Sequence, residues 1–270
     1  MGNLVSVIIP TFNNVDTIID TLQSVFGQTY ECIEVIIVND GSTDGTLEKV
    51  EYFIKDKDNF YLFSTDNRGV SAARNYGFEN SKGELVVFLD ADDLLDANYI
   101  KLCVDQFDTD PSIHLVYTKA VFFERIEGVF KLPDFSMQRL LFQNCFTVTS
   151  MLKSNDFREV GMFDVNLSYA EDWEFWIRLV SKYPKVVKIE KPLFFYRRRN
   201  SLNSATDLRD IKNVAESSMF YIYKKHHELY LKHGLGIDSL LKSKADAIKY
   251  KQKYYNIWYK KVFYFFKREK

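Results

Sequence analysis

The first half of the chain alternates short apolar runs with amphipathic stretches. The apolar runs predict strands, and the amphipathic stretches predict helices. The predicted strands cover residues 5–9, 33–38, 60–63 and 84–89, and the predicted helices lie at about 17–26, at 46–54 and from about 70. This alternation is typical of an α/β protein whose mostly parallel sheet is flanked by helices.

Polar or glycine-containing loops follow the first three predicted strands, at residues 10–14, 39–46 and 66–69. Because the carboxyl ends of parallel strands meet at one edge of a sheet, these loops should gather in one crevice. The alternative for the second loop is an ordinary turn with a helix cap, because Asp, Gly, Ser and Thr are the residues that such a turn requires. Asp40 can accept a hydrogen bond from the ring N–H of a uracil, and Arg68 can stack on the same base. Arg74, in the following helix, is either a structural tether or a phosphate contact.

Three aspartates, Asp90, Asp92 and Asp93, come directly after the fourth predicted strand. Asp90 and Asp92 project to the same side of an extended chain, so they can act together on one target. Carboxylate oxygens suit Mg²⁺ or Mn²⁺, whose coordination is usually completed by water and a substrate phosphate. The alternative is a solvated acidic turn in which Asp96 caps the next helix.

The composition is that of a globular chain with a sizeable core. Of the 270 residues, 46% are hydrophobic and 16% are aromatic. The 36 basic and 37 acidic residues give a formal net charge of −1, so the chain lacks the positive excess of a nucleic-acid-binding protein. Three scattered cysteines, at positions 32, 103 and 145, predict reduced and mostly buried thiols and a cytoplasmic location. We expect neither an export signal nor a membrane-spanning helix.

The C-terminal region changes character from about residue 205. Two helices are predicted, at about 207–233 and 237–266. Residues 242–270, the basic aromatic segment, carry ten basic and two acidic residues interleaved with aromatic ones. Such a segment suits the surface of an anionic membrane, which would place the protein on the inner face of that membrane. The alternative is that its aromatic residues pack against the rest of the chain or against another subunit of a homo-oligomer.

Five motifs, in order, carry a resemblance to a known family. They are Pro-Thr-Phe-Asn-Asn at 10–14, Asn-Asp-Gly-Ser-Thr-Asp-Gly-Thr at 39–46, Asn-Arg-Gly-Val-Ser-Ala-Ala-Arg-Asn at 67–75, Phe-Leu-Asp-Ala-Asp-Asp at 88–93 and Glu-Asp-Trp-Glu-Phe-Trp-Ile-Arg-Leu at 171–179. Over roughly residues 4–204 the chain resembles the family 2 glycosyltransferases of the GT-A fold. The resemblance implies a Rossmann-like, mixed and mostly parallel sheet in a catalytic domain at 1–204, with a helical extension at 205–270.

For function, the resemblance implies an inverting transfer of a sugar from a nucleotide diphosphate donor, with a UDP-sugar as the first expectation. The acceptor would be a hydroxyl group of a glycan or of a polyprenyl-linked molecule in surface polysaccharide synthesis. Asp92 and Asp90 would hold Mn²⁺ or Mg²⁺, and Asp93 would support them. The residues expected to bind the nucleotide sugar are Pro10, Thr11, Phe12, Asn14, Asp40, Arg68, Arg74, Asp90, Ala91, Arg197 and Arg199.

Asp172, with Glu171 as the alternative, is the expected catalytic base. Inversion needs one base opposite the leaving group, which takes the proton of the acceptor hydroxyl group. Both carboxylates stand at the start of a predicted helix, so ordinary stabilisation of the first helical turn is the competing interpretation. The helix dipole is expected to keep Asp172 ionised near neutral pH.

The sequence Tyr-Arg-Arg-Arg at 196–199 departs from the family, which often has a histidine near the position of Arg199, close to the metal or the diphosphate. The substitution puts metal ligation by this loop in doubt, although three arginines can neutralise a diphosphate electrostatically. Two other functions stay open. One is nucleotidyl transfer to a sugar phosphate, although residues 10–16 lack the lysine it would need. The other is a non-catalytic nucleotide-sugar-binding partner in a glycan assembly complex.

Overall fold

The computed structural model describes residues 2–199, 214–239, 241–242, 246 and 249. Most of the basic aromatic segment lies outside the described residues, and so do the predicted helix start near 207 and most of the second predicted helix. The chain divides into two compact units, Met1–Met219 and Phe220–Lys270. The predicted domain boundary at 204 stays a prediction.

Strands and helices alternate in the first unit as the hydrophobic pattern predicts. The strands are β1 (Val5–Thr11), β2 (Ile33–Asp40), β3 (Phe60–Thr65), β4 (Leu85–Phe88), β5 (Leu94–Leu95), β6 (Leu115–Glu124), β7 (Gly128–Phe130), β8 (Met151–Lys153) and β9 (Val186–Arg198). The helices are α1 (Ile18–Phe26), α2 (Thr46–Ile54), α3 (Val70–Glu79), α4 (Tyr99–Thr109), α5 (Met137–Leu140), α6 (Ser154–Glu159) and α7 (Glu171–Lys182).

The described strands form one mixed sheet in the order β3-β2-β1-β4-β8-β6-β9-β5, with β7 paired to β6. The four strands β3, β2, β1 and β4 are parallel to one another. Strand β8 is antiparallel to both β4 and β6, whereas β6 and β9 are parallel. The predicted mixed, mostly parallel sheet flanked by helices is therefore confirmed. Loops after β1, β2 and β4 lie at one edge of the sheet, as expected for parallel strands.

Helices cover both faces of the parallel strands, which explains why β1 and β2 are buried along their whole length. Helix α3 packs closely because Gly77 lacks a side chain. A Cβ atom there would lie 2.6 Å from Cγ2 of Ile8 and 3.1 Å from Cγ2 of Val38. On the same face a cluster of aromatic rings, with neighbouring centroids 4.6–5.2 Å apart, joins α3, β4, α6 and α7. The loop after β4 and the start of α7 are thereby fixed to one core.

The C-terminal part of the described chain is helical, as predicted. It contains α8 (Val214–Lys225), which crosses the boundary between the two units, and α9 (His227–Lys232). Tyr230 is buried in the second unit and packs edge-on against Tyr223, with ring centroids 4.8 Å apart. Within the described residues, no helix has both the length and the apolar character needed to cross a membrane. Two of the three free cysteines are buried, and Cys32 is exposed.

Candidate active site

A cleft of about 410 Å³ opens at the carboxyl ends of β1, β2 and β4. Its volume lies within the range of small-molecule sites. Eleven of the predicted site residues line it: Pro10, Thr11, Phe12, Asn14, Asp40, Arg74, Asp90, Ala91, Asp92, Glu171 and Arg199. Three predicted residues, Arg68, Arg197 and Asp172, are not among those that line it. The crevice expected from the loop positions is present.

The loop after β1 is held in place by its own asparagine. The Asn14 side-chain oxygen accepts hydrogen bonds from the Thr11 hydroxyl group, at 3.1 Å, and from the Phe12 backbone N–H, at 3.0 Å. The Asn14 backbone N–H donates to the Thr46 hydroxyl group at the start of α2. These bonds present the half-exposed ring of Phe12 at the cleft. A flat apolar ring in this position suits contact with a nucleobase or a sugar face.

Asp40, at the end of β2, is 3% exposed and organises the neighbouring loop. Its carboxylate accepts hydrogen bonds from the Thr65 hydroxyl group and from the backbone N–H groups of Arg68 and Gly69, at 2.8–3.0 Å. Gly69 has φ +88°, a conformation that favours glycine. Arg68 thus contributes its backbone here, and its stacking role stays a prediction. Recognition of a base N–H by Asp40 also stays a prediction, and both carboxylate oxygens already have local donors.

Arg74 connects the two acidic parts of the cleft. Its guanidinium group donates to Asp90 and to Glu171, each over 2.6 Å, and its side chain is 3% exposed. The central carbon of this group also lies over the ring of Phe163, 5.4 Å from the ring centroid. A buried guanidinium group between two carboxylates fixes the distance between the end of β4 and the start of α7. Of the two interpretations offered for Arg74, these contacts favour the tether.

Asp92 and Asp93 follow β4 and contact the arginines at the end of β9. The Asp92 carboxylate accepts a hydrogen bond from Nε of Arg199, at 2.8 Å. Asp93 is buried and accepts from the backbone N–H of Arg197, at 2.8 Å. Burial raises the pKa of Asp93 well above its ordinary value, and the neighbouring charges of Asp92 and Asp90 add to this effect. Asp93 therefore ties the acidic loop to β9 and does not line the cleft.

The guanidinium group of Arg197 makes contacts within the protein. It donates to the backbone carbonyl of Asp92 at 2.7 Å and to the carboxylates of Glu124 and Asp20 at 2.9 Å. It also stacks over the ring of Phe123, 4.6 Å from the ring centroid. These contacts hold the acidic loop against β9. Binding of the donor by Arg197 stays a prediction. Of the two predicted arginines from the sequence 196–199, Arg199 lines the cleft and Arg197 does not.

Asp172 lies in the first turn of α7, which begins after Ala170, a residue with φ +61°. Its carboxylate accepts hydrogen bonds from the Trp173 backbone N–H, at 2.7 Å, and from the Asn144 side-chain amide, at 2.8 Å. Burial is the largest influence on its pKa, and the Glu171 charge adds to it. Together they raise the pKa of Asp172 to about 7, although Arg74 and the two hydrogen bonds act in the opposite direction.

This pKa corrects one expectation from the sequence. The helix dipole was expected to keep Asp172 ionised near neutral pH, but burial beside Glu171 outweighs the dipole. Asp172 exchanges its proton near neutrality, which is where a general base is most effective. Glu171, the alternative base, lines the cleft but is bound by Arg74. The pKa of Asp172 is compatible with the expected base, which stays a prediction, and Glu171 is a neighbour that helps to raise that pKa.

Asp90 and Asp92 are the residues that fit a divalent cation. Both line the cleft, and burial and the Asp90 charge raise the pKa of Asp92 while Arg199 opposes this rise. A cation between them would relieve the repulsion of two adjacent carboxylates. In the described part of the chain, no group of three or more acidic, histidine or cysteine side chains could hold a metal. A set of two carboxylates matches Mg²⁺ or Mn²⁺ that is bound partly by substrate phosphate.

Sequence reasoning missed seven residues that line the cleft, namely Asn67, Gly69, Val70, Ala73, Ser168, Tyr169 and Tyr196. Four of them, from Asn67 to Ala73, belong to a motif that had been singled out, from which Arg74 was correctly chosen as lining the cleft and Arg68 was not. Tyr169 lies just before the two carboxylates at the start of α7. Its closeness in sequence to that pair was a signal that could have identified it as a cleft residue. No signal in the sequence pointed to Asn144, which reaches Asp172 from 28 residues away.

Comparison with known proteins places these features in a family. The model described as glycosyl transferase family 2 matches residues 6–158. The chain is 28% identical over 251 residues to the Escherichia coli UDP-Glc:alpha-D-GlcNAc-diphosphoundecaprenol beta-1,3-glucosyltransferase WfaP, covering 88% of this chain and 95% of that protein. By contrast, the chain spans only 58%, 14% and 34% of the length of three glycosyltransferases from Rickettsia species.

Solved structures agree with the fold. The structure of S. aureus TarS in complex with UDP-GlcNAc superposes with a TM-score of 0.65 and 24% identity, over 73% of this chain and 59% of that one. The mannosyltransferase PcManGT from Pyrobaculum calidifontis, in complex with GDP-Man and Mn²⁺, gives a TM-score of 0.60 and 17% identity, over 93% of this chain and 81% of that one. The likeness supports the GT-A fold expected from the motifs.

Proposed function

Because the chain belongs to glycosyl transferase family 2, we propose that it moves a sugar, with inversion, from a nucleotide diphosphate sugar to a hydroxyl group of a glycan or lipid-linked acceptor. Family membership favours glycosyl transfer over the nucleotidyl transfer and non-catalytic alternatives. The observation that carries the proposal is the cleft itself. The candidate metal ligands Asp90 and Asp92 line it together with Glu171, which precedes the proposed base Asp172 in the chain, and Arg74 joins Asp90 to Glu171.

A uridine diphosphate sugar is the first donor to test. The relative WfaP carries UDP-Glc in its name, and TarS was solved with UDP-GlcNAc. In this chain the exposed Phe12 ring and Asp40 border the same part of the cleft, at the ends of β1 and β2. The ring can cover one face of a base, and a carboxylate can accept from the uracil N–H. A GDP-sugar is the second donor to test, since PcManGT was solved with GDP-Man.

The chain's own residues would carry out proton transfer and orientation. The acceptor oxygen forms a bond to the anomeric carbon while the bond from that carbon to the diphosphate oxygen breaks. The electron pair leaves with the nucleoside diphosphate, and the acceptor proton goes to the Asp172 carboxylate. Asn144 and the Trp173 N–H hold that carboxylate in one orientation. Arg74 keeps the base at a fixed separation from the donor side of the cleft.

Asp90 and Asp92 would hold Mn²⁺ or Mg²⁺ at the diphosphate. A divalent cation bound there supplies positive charge against the negative charge that grows on the leaving diphosphate. The neighbouring Arg199 adds a second positive group from the end of β9. The proposal therefore predicts that donor binding weakens when the metal is removed with a chelator.

The acceptor is proposed to be a polyprenyl diphosphate-linked glycan at an anionic membrane surface. WfaP names a diphosphoundecaprenol acceptor. The second unit of this chain exposes Phe220, Leu231, Ile237 and Leu241, and the basic aromatic segment adds charge of the matching sign. The full chain should float with vesicles that contain phosphatidylglycerol and not with phosphatidylcholine vesicles. Replacing Phe220 and Leu231 by Ser should reduce flotation, whereas replacing Tyr52, a more exposed aromatic residue in the first unit, by Ser should not.

The activity test is a panel of nucleotide sugars incubated with the full chain, Mn²⁺ and lipid-linked acceptors. Release of nucleoside diphosphate and the mass of the product report transfer, and the anomeric proton coupling of the product reports inversion. Asp172→Asn should lose transfer, whereas Asp105→Asn, an exposed carboxylate on α4, should retain it. Retention of the donor's anomeric configuration, or full activity of Asp172→Asn, would contradict the proposal.

A further inference from the structure

The candidate metal ligand Asp92 already has a cationic partner. Nε of Arg199 lies 2.8 Å from the Asp92 carboxylate, and both side chains are 19% exposed. Arg199 and Asp92 also line the same cleft. A guanidinium group and a divalent cation carry the same sign and would use the same carboxylate oxygens. Binding of metal to Asp92 therefore has to displace Arg199 or share the carboxylate with it.

The other two arginines around the acidic loop differ from Arg199 in what they contact. Arg74 bridges Asp90 and Glu171, and Arg197 binds a backbone carbonyl and two carboxylates on other strands and helices. Both hold separate elements together. The Arg199 contact instead joins the residue that follows β9 to a side chain that lines the cleft. Among these three arginines, Arg199 has the contact that can be exchanged without separating the sheet from α7 or α1.

A diphosphate would provide the compensation that this exchange needs. Displacing Arg199 from Asp92 leaves a guanidinium group in a partly buried cleft, which is costly unless another anion pairs with it. The oxygens of a diphosphate match the guanidinium fork in charge and geometry. A metal ion alone offers no such anion, whereas a metal ion that arrives with a nucleotide diphosphate does.

We propose that Arg199 makes metal binding depend on the donor. Before the donor binds, Arg199 pairs with Asp92 and competes with the free cation. When the nucleotide diphosphate binds, Arg199 turns to its phosphate oxygens, and Asp92 becomes available to the metal. This inference rests on the proposed function, because it needs a nucleotide diphosphate and a divalent cation in the same cleft.

The test measures Mn²⁺ binding by the full chain through the electron paramagnetic resonance signal of free Mn²⁺, with and without UDP or GDP. Arg199→Gln removes the charge and keeps a side chain of similar length. Arg198→Gln, one residue away on β9, removes the same charge without touching the Asp92 pair. Arg199→Gln should bind Mn²⁺ alone at least tenfold more tightly than wild type, and Arg198→Gln should stay within about twofold of it.

The second measurement is the effect of the nucleotide on Mn²⁺ affinity. In wild type, the nucleotide should raise Mn²⁺ affinity by at least tenfold, and by linkage Mn²⁺ should raise nucleotide affinity by the same factor. In Arg199→Gln this factor should be smaller than in wild type, although it stays above one because the phosphate oxygens still coordinate the metal. Should Arg199→Gln fold poorly in a thermal unfolding assay, Arg199→Lys replaces it. The lysine keeps the charge but loses the guanidinium geometry, and its Mn²⁺ affinity without nucleotide should lie above that of wild type.

Two results overturn the inference while the proposed function stands. One is that the nucleotide raises Mn²⁺ affinity in wild type but Arg199→Gln binds Mn²⁺ alone no more tightly than wild type. The other is that Arg198→Gln tightens Mn²⁺ binding as much as Arg199→Gln does, which would indicate a general effect of charge. If neither nucleotide promotes Mn²⁺ binding in any variant, both the inference and the metal-dependent donor site are wrong.

Discussion

Replacing Asp172 by Asn changes both the stability and the rate of the enzyme in ways that depend on pH. Burial beside Glu171 raises the pKa of Asp172 from the ordinary 3.8 to about 7 in the folded protein. The folded state thus disfavours the charged form. The contribution of neutral Asp172 to the free energy of unfolding is fully present below about pH 4, and it is lost as the pH rises through about 7. Asparagine stays neutral at every pH, so the variant should avoid this loss.

The magnitude follows from the size of the pKa change. Fully expressed, the change from 3.8 to about 7 corresponds to about 4 kcal/mol. Asp172 is only partly shielded from water, so solvent screening reduces the expected gain of Asp172→Asn at pH 8 to about 1–2 kcal/mol. At pH 5 the folded wild type still holds the proton, whereas the unfolded chain has already lost it, so the difference should be about one third of that at pH 8. Transfer should fall by about 10²–10⁴-fold, the usual contribution of a general base.

The assay is unfolding in guanidinium chloride at pH 5 and pH 8, beside nucleotide binding and transfer rates. The wild-type rate should rise with pH through about 7 as Asp172 loses its proton. Asp105→Asn should change neither the stability difference nor the rate profile, because Asp105 is exposed on α4. A stability gain that is equal at both pH values, or a loss of nucleotide binding as large as the loss of transfer, would refute this account of Asp172.

Three further predictions concern the residues around the site. Glu171→Gln removes a charge that raises the pKa of Asp172, so the rise of the transfer rate should move to lower pH; a move to higher pH would contradict this cause. Arg74→Ala leaves two partly buried carboxylates unpaired and should lower the free energy of unfolding by about 3 kcal/mol in a denaturant titration, whereas a change below about 1 kcal/mol would argue against the tether. Gly77→Ala places a methyl group 2.6 Å from Ile8 and should lower the free energy of unfolding by about 1–3 kcal/mol, although alanine favours helices; unchanged stability would show that α3 shifts freely.

The parallel half of the sheet could be predicted from the sequence because its signal is local. Strands buried on both faces appear as continuous apolar runs, and the loops after them must meet at one edge. The positions of Asp90 and Asp92 at that edge followed from this rule alone. The antiparallel addition of β8 between β4 and β6 did not, since three-residue strands such as Met151–Lys153 carry no pattern that distinguishes them from loops.

The parts of the site that escaped prediction depend on contacts between residues far apart in the chain. Asn144 reaches Asp172 across 28 residues, and Arg197 reaches Asp20 across 177. The role of Arg197 was inferred from charge alone, and only the structure shows that its guanidinium group is engaged by three protein oxygens. The ionisation of Asp172 was misjudged for a related reason. The helix dipole is visible in the sequence, whereas burial beside Glu171 appears only once the chain is folded.

The central claim is that the cleft binds a nucleotide diphosphate together with a divalent cation. The most direct test is the melting temperature of the full chain with UDP, GDP, CDP or dTDP, each with Mn²⁺ and with a chelator. A ligand at 100 times its Kd stabilises the native state by about 2.7 kcal/mol, which for a chain of this size raises the melting temperature by roughly 5–10 °C. We expect such a rise with one nucleotide, UDP first, only when Mn²⁺ is present, and we expect Asp92→Asn to abolish it. Equal melting temperatures with every nucleotide, with and without Mn²⁺, would contradict the claim.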